Sequence, residues 1–251
     1  MTQWFIEESY GLDLFYRHAQ YGVDAVKPIA GQPRVVNTNV KDVLVASYDG
    51  AMVLGDPQCS TGIRTFTDSI REFRGNFDAF VLRLETGGGH ADAAMDVDGL
   101  IIDLQKKGVK VVVHSNSLYS AGIMATTNAD RIVGNSIMSG FGSIGVFLQL
   151  NKYMRKVYNE YVEFVYSPES PDKNKAFNEW LKDGSTKEFK AQVLESDHMF
   201  MKMVSNNRPL SDKYQDTLKG GTWNAKIAKQ RGLIDHIGSL DFAIDLATKL
   251  I

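Results

Sequence analysis

The chain has 251 residues, 43% of them hydrophobic and 23% charged, enough to bury a sizeable core and unlike a disordered or fibrous chain. A formal net charge of −2, with no clustering of the basic residues, argues against a nucleic-acid surface. Its single cysteine, Cys59, leaves no internal disulfide and no cysteine metal set, and Gln-Cys-Ser is no nucleophile motif, so a packed or surface residue is expected.

Residues 1–40 read as an arm separate from a core domain over 41–251. MTQWFIEESYGLDLF carries acidic residues and no apolar run, so it reads as neither signal peptide nor anchor, and nowhere is there the span of about 18–20 apolar residues that a membrane helix needs. A cytoplasmic location follows as the expectation. Phe5, Tyr10, Leu14, Phe15, Tyr21 and Val23 recur at loosely helical spacing, suited to packing on the chain's own core or to an oligomer contact. KPIAGQPRVVN then suggests Pro and Gly turns.

DVLVASYDGAMV predicts a strand and a turn at Asp49-Gly50. TGIRTFTDSIREFRG predicts an amphipathic helix with Ile63, Phe66, Ile70 and Phe73 on one face and Gly75 at its end. FDAFVLRLETGGGH predicts a buried strand, Ala79 to Leu84, that delivers Gly87, Gly88 and Gly89 to its carboxyl end. A second helix (ADAAMDVDGLIIDLQKKG) and a second apolar strand (KVVVHSNS) follow. Strand and helix alternating in this way predict a parallel α/β sheet with sites at the strand ends.

The densest stretch of small residues runs from Ser115 to Phe147. After a buried strand, such a segment lets the backbone turn sharply into a helix and present one side chain, the placement a nucleophilic hydroxyl needs. Ser120, in Tyr-Ser-Ala-Gly, is that side chain.

LYSAGIMATTNADRIV followed by GFGSIGVF resembles the signature of the signal peptide peptidase A family of serine/lysine proteases, to which phage prohead proteases belong. Ser120, Ala121 and Gly122, then Ala129 to Val133, then Gly142 to Val146 match it; Phe141 stands where the family has Thr. Thr86 to Gly89 match the family's Ser-Pro-Gly-Gly, with Thr86 for Ser and Gly87 for Pro. Gly-Gly-Gly alone reads as a tight turn. By the resemblance, Gly88 N–H and Ala121 N–H form an oxyanion hole, and Gly87, Gly89 and His90 line the substrate cleft.

A hydroxyl nucleophile needs a base. A triad would need one of His18, His90, His114, His198 and His236 close to Ser120. His90 follows the glycines and could line the cleft but sits in no recognised base position, and His114, next to the nucleophile strand, reads as packed or satisfied by backbone. The resemblance instead implies a lysine roughly fifty residues after the serine, acting when neutral in a desolvated site. EFVYS matches the strand before it. Lys173, followed by Asn174, suits the spacing better, with Lys175 the alternate, and Ser143 carries over as the hydroxyl that orients the amine.

Past the lysine, a long amphipathic helix presents Phe189, Val193, Met199, Phe200, Met203 and Val204, its methionines read as core filler. The ending, with Gly221 to Trp223 and Gly232 to Asp235, also matches, so the resemblance spans about 43–251. It implies a Clp-protease/crotonase-like superhelical α/β fold, a Ser/Lys endopeptidase without metal or organic cofactor, a polypeptide substrate and a homo-oligomeric ring. The missing anchor suits trimming of capsid or scaffold proteins during phage prohead maturation; a bacterial cytoplasmic signal-peptide-type peptidase is the alternative. Two readings of another class are a catalytically silent assembly subunit and a crotonase-like acyl-CoA enzyme, which would need a coenzyme A site.

Overall fold

The computed structural model describes residues 4–6, 29–38, 40–55 and 62–251. Cys59 and His18 lie outside the described residues, as do Tyr10, Leu14, Phe15, Tyr21 and Val23 of the arm. The chain divides into two compact units, residues 1–145 with 200–251, and residues 146–199.

The first unit contains, in order, strands β1 (Trp4–Ile6), β2 (Ile29–Asn37) and β3 (Asp42–Asp49), helix α1 (Ile63–Arg71), β4 (Ala79–Glu85), β5 (Gly88–His90), α2 (Ala91–Lys106), β6 (Lys110–Ser115), β7 (Ser117–Tyr119) and α3 (Ala121–Thr126). It continues with β8 (Arg131–Gly134) and β9 (Gly140–Gly142). After the second unit come β10 (Thr222–Asn224), α7 (Ala225–Gln230), β11 (His236–Ile237) and α8 (Leu240–Lys249).

The main sheet has the order β11-β8-β6-β4-β3-β2, parallel throughout except for β2, which runs antiparallel to β3. This is the α/β class with a mostly parallel sheet expected above. Its central strands carry unbroken apolar runs, Val43–Ala46, Ala79–Leu82 and Val111–Val113, because both faces are covered there, as a parallel sheet requires. Val43, Val45, Ala79, Val81, Val112 and Val133 pack with Ala243 and Ala247 of α8. The alternate residues Leu44, Phe80, Leu82, Val111 and Val113 are equally buried and point to the opposite face. Each such side chain contributes roughly 1.5–3 kcal/mol by leaving water.

Helix α1 buries Ile63, Phe66 and Ile70, one face of a 3.6-residue period. It stops at Arg71 with Glu72 as C-cap, so the expected Phe73 and Gly75 lie beyond its end.

Two segments differ from the sequence-based expectation. Residues 29–37, whose Pro and Gly suggest turns, form the edge strand β2; the register breaks between Gly31 and Arg34, so Pro33 sits in a bulge where its missing N–H takes no bond from the ladder. Phe5, expected at helical spacing, lies in the extended β1, which pairs antiparallel with β5.

The second unit carries α4 (Lys152–Tyr161), α5 (Lys175–Asp183) and most of α6 (Lys187–Asn207), the long helix expected there. Ala176, Trp180, Leu181 and Phe189 form its core, joined by Leu148, Leu150, Tyr158 and Phe177. Phe164 stacks between Tyr158 and Tyr166 at 6.0 and 6.1 Å. The EFVYS segment is not hydrogen-bonded as a strand, and its Val165 is 92% exposed. In the first unit α6 ends on buried Phe200 and Val204.

Candidate active site

Two strand ends are zipped together to make the site. At the carboxyl end of β4, Thr86 N–H donates to Ser117 O at 2.8 Å and Tyr119 N–H donates to Thr86 O at 3.1 Å. This forms an isolated parallel bridge between Thr86 and Leu118. Two residues past each bridge partner stand Gly88 and Ser120, so the glycine turn and the serine elbow leave the bridge side by side.

Glu85 holds this junction from behind. Its carboxylate accepts from Asn116 N–H at 2.9 Å, Asn116 Nδ2 at 2.9 Å, Ser117 N–H at 2.9 Å and Ser115 Oγ at 3.4 Å. The β6-to-β7 turn is thus built around one side chain. Glu85→Ala leaves these donors without their acceptor, and an unfolding free energy lower by about 2–4 kcal/mol is expected, measured by urea titration.

Ser120 is the N-cap of α3, with φ 50° and ψ −115°, and is 1% exposed. For a residue with a β-carbon this backbone costs about 1–3 kcal/mol and persists only where the surroundings dictate it. Here they do: Ser120 N–H donates to Gly142 O at 2.8 Å, and Ser120 O accepts from Met124 N–H at 3.1 Å. The serine side chain makes no capping bond to its own helix.

The small residues after Ser120 have a steric reason. A β-carbon on Gly122 would stand 2.5 Å from Thr86 Cγ2 and 3.1 Å from Leu118 Cδ1. Thr86 is fully buried and its hydroxyl is engaged, so it has little room to yield. Gly122→Ala is expected to cost about 1–3 kcal/mol of stability, read from a thermal melt.

Ser143 also has a positive φ, 55°, and donates its N–H to Gly221 O at 2.7 Å. It follows Gly142, which pairs with Tyr119 across the parallel β7–β9 ladder. Ser120 and Ser143 therefore each continue from a paired position, and the structure brings the two serine backbones together. The segment 143–146, matched to a family strand, is outside β9.

The glycine turn is less simple than expected. Gly88 N–H donates to Thr86 Oγ1 at 3.0 Å, and Thr86 Oγ1 donates to Gly88 O at 3.2 Å. The Gly88 amide is thus already bonded inside its own turn. Ala121 is the first residue of α3, so its N–H has no intrahelical acceptor. Gly87 and Gly89 are buried and His90 half-buried, all beside the elbow, and α3 contacts β5.

Burial acts on three of the described histidines. His114 lies in β6 at 2% exposure, and burial lowers its pKa, as it lowers those of His90 and His236. The folded chain keeps these rings neutral while the unfolded chain protonates them below about pH 6.5. Stability contributed this way is complete above that pH and lost as pH falls through the lower folded values. The urea midpoint is expected to drop between about pH 7.5 and pH 5.5, and His114→Gln to flatten that dependence.

Lys173 and Lys175 belong to the second unit, and both are exposed. Lys173 lies in the turn before α5; its N–H donates to Ser170 O at 3.2 Å and its carbonyl accepts from Asn178 Nδ2 at 3.2 Å. Asn178 is itself fixed by Tyr166 Oη at 2.7 Å. Lys175 Nζ is 3.9 Å from Glu188 Oε1. Within its unit Lys173 has no such carboxylate among the described residues.

Among the described residues no group of three His, Cys, Asp or Glu side chains could hold a metal ion, and no helix is long and apolar enough to cross a membrane. Two features escaped the sequence reading. The Glu85 carboxylate is signalled only by its place before the glycines, and the Thr86 hydroxyl by its place where the family has Ser.

The family model described as peptidase family S49 matches residues 103–251, which takes in the elbow, Ser143 and both lysines but begins after the glycine turn. The chain is similar to Protease 4 of Haemophilus influenzae, 26% identical over 226 residues, covering 87% of this chain and 36% of that protein. It is also similar to "Probable protease SohB" of Buchnera aphidicola, 24% identical over 211 residues, covering 82% of this chain and 61% of that one. It thus spans between a third and about three fifths of these relatives. Among solved structures it is similar to a mutant of the 1510-N membrane-bound stomatin-specific protease, with TM-score 0.48 and 14% identity, over 81% of this chain and 82% of that one.

Proposed function

Because the chain belongs to peptidase family S49, we propose that it is a serine endopeptidase in which Ser120 is the nucleophile and Lys173 the general base. The observation that carries this reading is the Ser120 backbone, held in a strained positive-φ turn at the start of α3 and against the bridged ends of β4 and β7. Strain of this kind without a task would be lost to glycine.

In the proposed reaction Ser120 Oγ attacks the peptide carbonyl while its proton passes to the neutral Nζ of Lys173. The tetrahedral oxyanion is met by Ala121 N–H and, once it leaves or shares Thr86 Oγ1, by Gly88 N–H. Collapse breaks the C–N bond, and the lysine returns the proton to the leaving amine. Water then hydrolyses the acyl-serine ester by the same base. Ser143 orients the amine. An exposed lysine is a poor base, so the active form requires Lys173 to be desolvated, as a neighbouring copy in the ring implied by the resemblance would do.

The substrate is an extended polypeptide. The finer reading, a capsid or scaffold protein of a phage prohead, rests on the family resemblance alone, with remnant signal peptides as the other substrate class.

Fluorophosphonate labelling followed by peptide mass mapping tests the reading. One adduct on Ser120, absent from Ser120→Ala, supports it. Folded, assembled protein that takes no label refutes it in favour of a silent assembly subunit, and thermal stabilisation by acyl-coenzyme A would point to a crotonase-like enzyme.

A further inference from the structure

Strand β5 has two edges, and both are occupied. On one, Met52 N–H donates to Gly88 O and His90 N–H donates to Met52 O, each at 2.8 Å. Strand residues alternate in the direction of their backbone groups, so Gly89 turns its N–H and C=O the other way. Opposite Gly89 the register places Phe5, with Trp4 opposite His90 and Ile6 opposite Gly88, in an antiparallel pair. In such a ladder opposed pairs alternate between exchanging both bonds and exchanging none, and the pair whose backbone groups turn toward each other, here Gly89 and Phe5, is of the first kind. The outward donor and acceptor of Gly89 are thereby consumed by the chain's own β1.

Any extended polypeptide that used β5 as a template would need that same pair. It has no second edge to choose, because Met52 fills the first. Nor can the turn swing aside: a β-carbon on Gly89 would stand 2.2 Å from Met52 O, which shows how closely β5 is pressed on that side. Strand β5 also contacts α3, the helix that Ser120 caps.

We propose that the outer edge of β5 is a docking site for an extended polypeptide running antiparallel to Gly88–His90, and that Trp4–Ile6 is its resident occupant, which substrate must displace. The inference rests on the peptidase reading above. It makes Trp4–Ile6 an intramolecular competitor that raises the apparent KM and leaves kcat alone.

The test uses the full chain with Cys59→Ser and the pair Trp4→Cys and His90→Cys. These two positions face each other without mutual hydrogen bonds, with Cα atoms about 4.5 Å apart, within the range a disulfide spans. Oxidation is expected to lower cleavage of a fluorogenic extended peptide at least about ten-fold, and reductant to restore it. In the chain with Phe5→Pro alone, which removes the N–H facing Gly89, KM is expected to fall roughly three- to ten-fold at unchanged kcat.

A small fluorophosphonate, which needs no strand pairing, separates the possible failures. If Ser120 labels in the reduced chain but locked and reduced forms cleave equally fast, the docking inference is overturned and the peptidase reading stands. Cysteines that do not oxidise overturn it too, because the pairing is then absent. If no form labels, the peptidase reading has failed and this inference falls with it.

Discussion

Ser120→Ala is expected to lower kcat/KM by about 10⁴–10⁶-fold on any peptide the enzyme cleaves, with the thermal midpoint nearly unchanged. On the proposed mechanism the activity loss follows because Ser120 alone takes the acyl chain, which leaves only the amide donors and binding to contribute. The stability expectation follows from the backbone. Alanine keeps the β-carbon, and with it the strain of φ 50° and ψ −115°, while both main-chain bonds of Ser120 stay in place.

Glycine separates the two effects. At these angles it sits in the mirror image of a common extended conformation and meets no β-carbon clash. Ser120→Gly is therefore expected to be as inactive as the alanine variant yet more stable than it by about 0.5–1 kcal/mol, a net of relieved strain against added freedom in the unfolded chain. Paired melts and progress curves on the three chains decide it. An alanine variant that retains activity would remove Ser120 from the chemistry.

The second large effect separates the lysines. Lys173→Ala is expected to lower kcat/KM by about 10²–10⁴-fold, and Lys175→Ala by no more than a few-fold. Two observations support the choice. The Lys173 main chain is fixed by Asn178, itself held by Tyr166, so its side chain starts from a defined point. Lys175 Nζ already has a carboxylate to hold, Glu188 Oε1 at 3.9 Å, whereas Lys173 has none in its unit among the described residues. Lys175→Ala loses a half-exposed ion pair, worth about 0.2–1 kcal/mol at most. If Lys175→Ala is the inactive variant, the roles are exchanged and Glu188 must move away in the active form.

Much of the first unit was legible because its signals are local. The apolar runs at Val43–Val45 and Val111–Val113 read as strands, which the fold buries on both faces, and Tyr-Ser-Ala-Gly after the second announced the elbow. What escaped were partnerships between distant segments. Nothing near Trp4 announces that Gly89 is its sheet neighbour's centre, and the Pro33 bulge hides an edge strand inside what reads as turns. The hydroxyl of Thr86 was visible as a residue, but its bond to the Gly88 amide depends on the angle of a turn that Gly-Gly-Gly leaves open. The division at residues 146–199 was not legible either, since its small aromatic core is assembled from three helices and a loop, each ordinary alone.

The bulge in β2 has a further consequence, for how the protein behaves in crowded solution. β2 is the last described strand on its side of the main sheet, and a straight nine-residue border would invite other chains to continue the ladder. Gln32 and Pro33 interrupt the row of amides just where such growth would need an unbroken template. The same kink that obscures the strand in the sequence thus acts as a guard against stacking into aggregates.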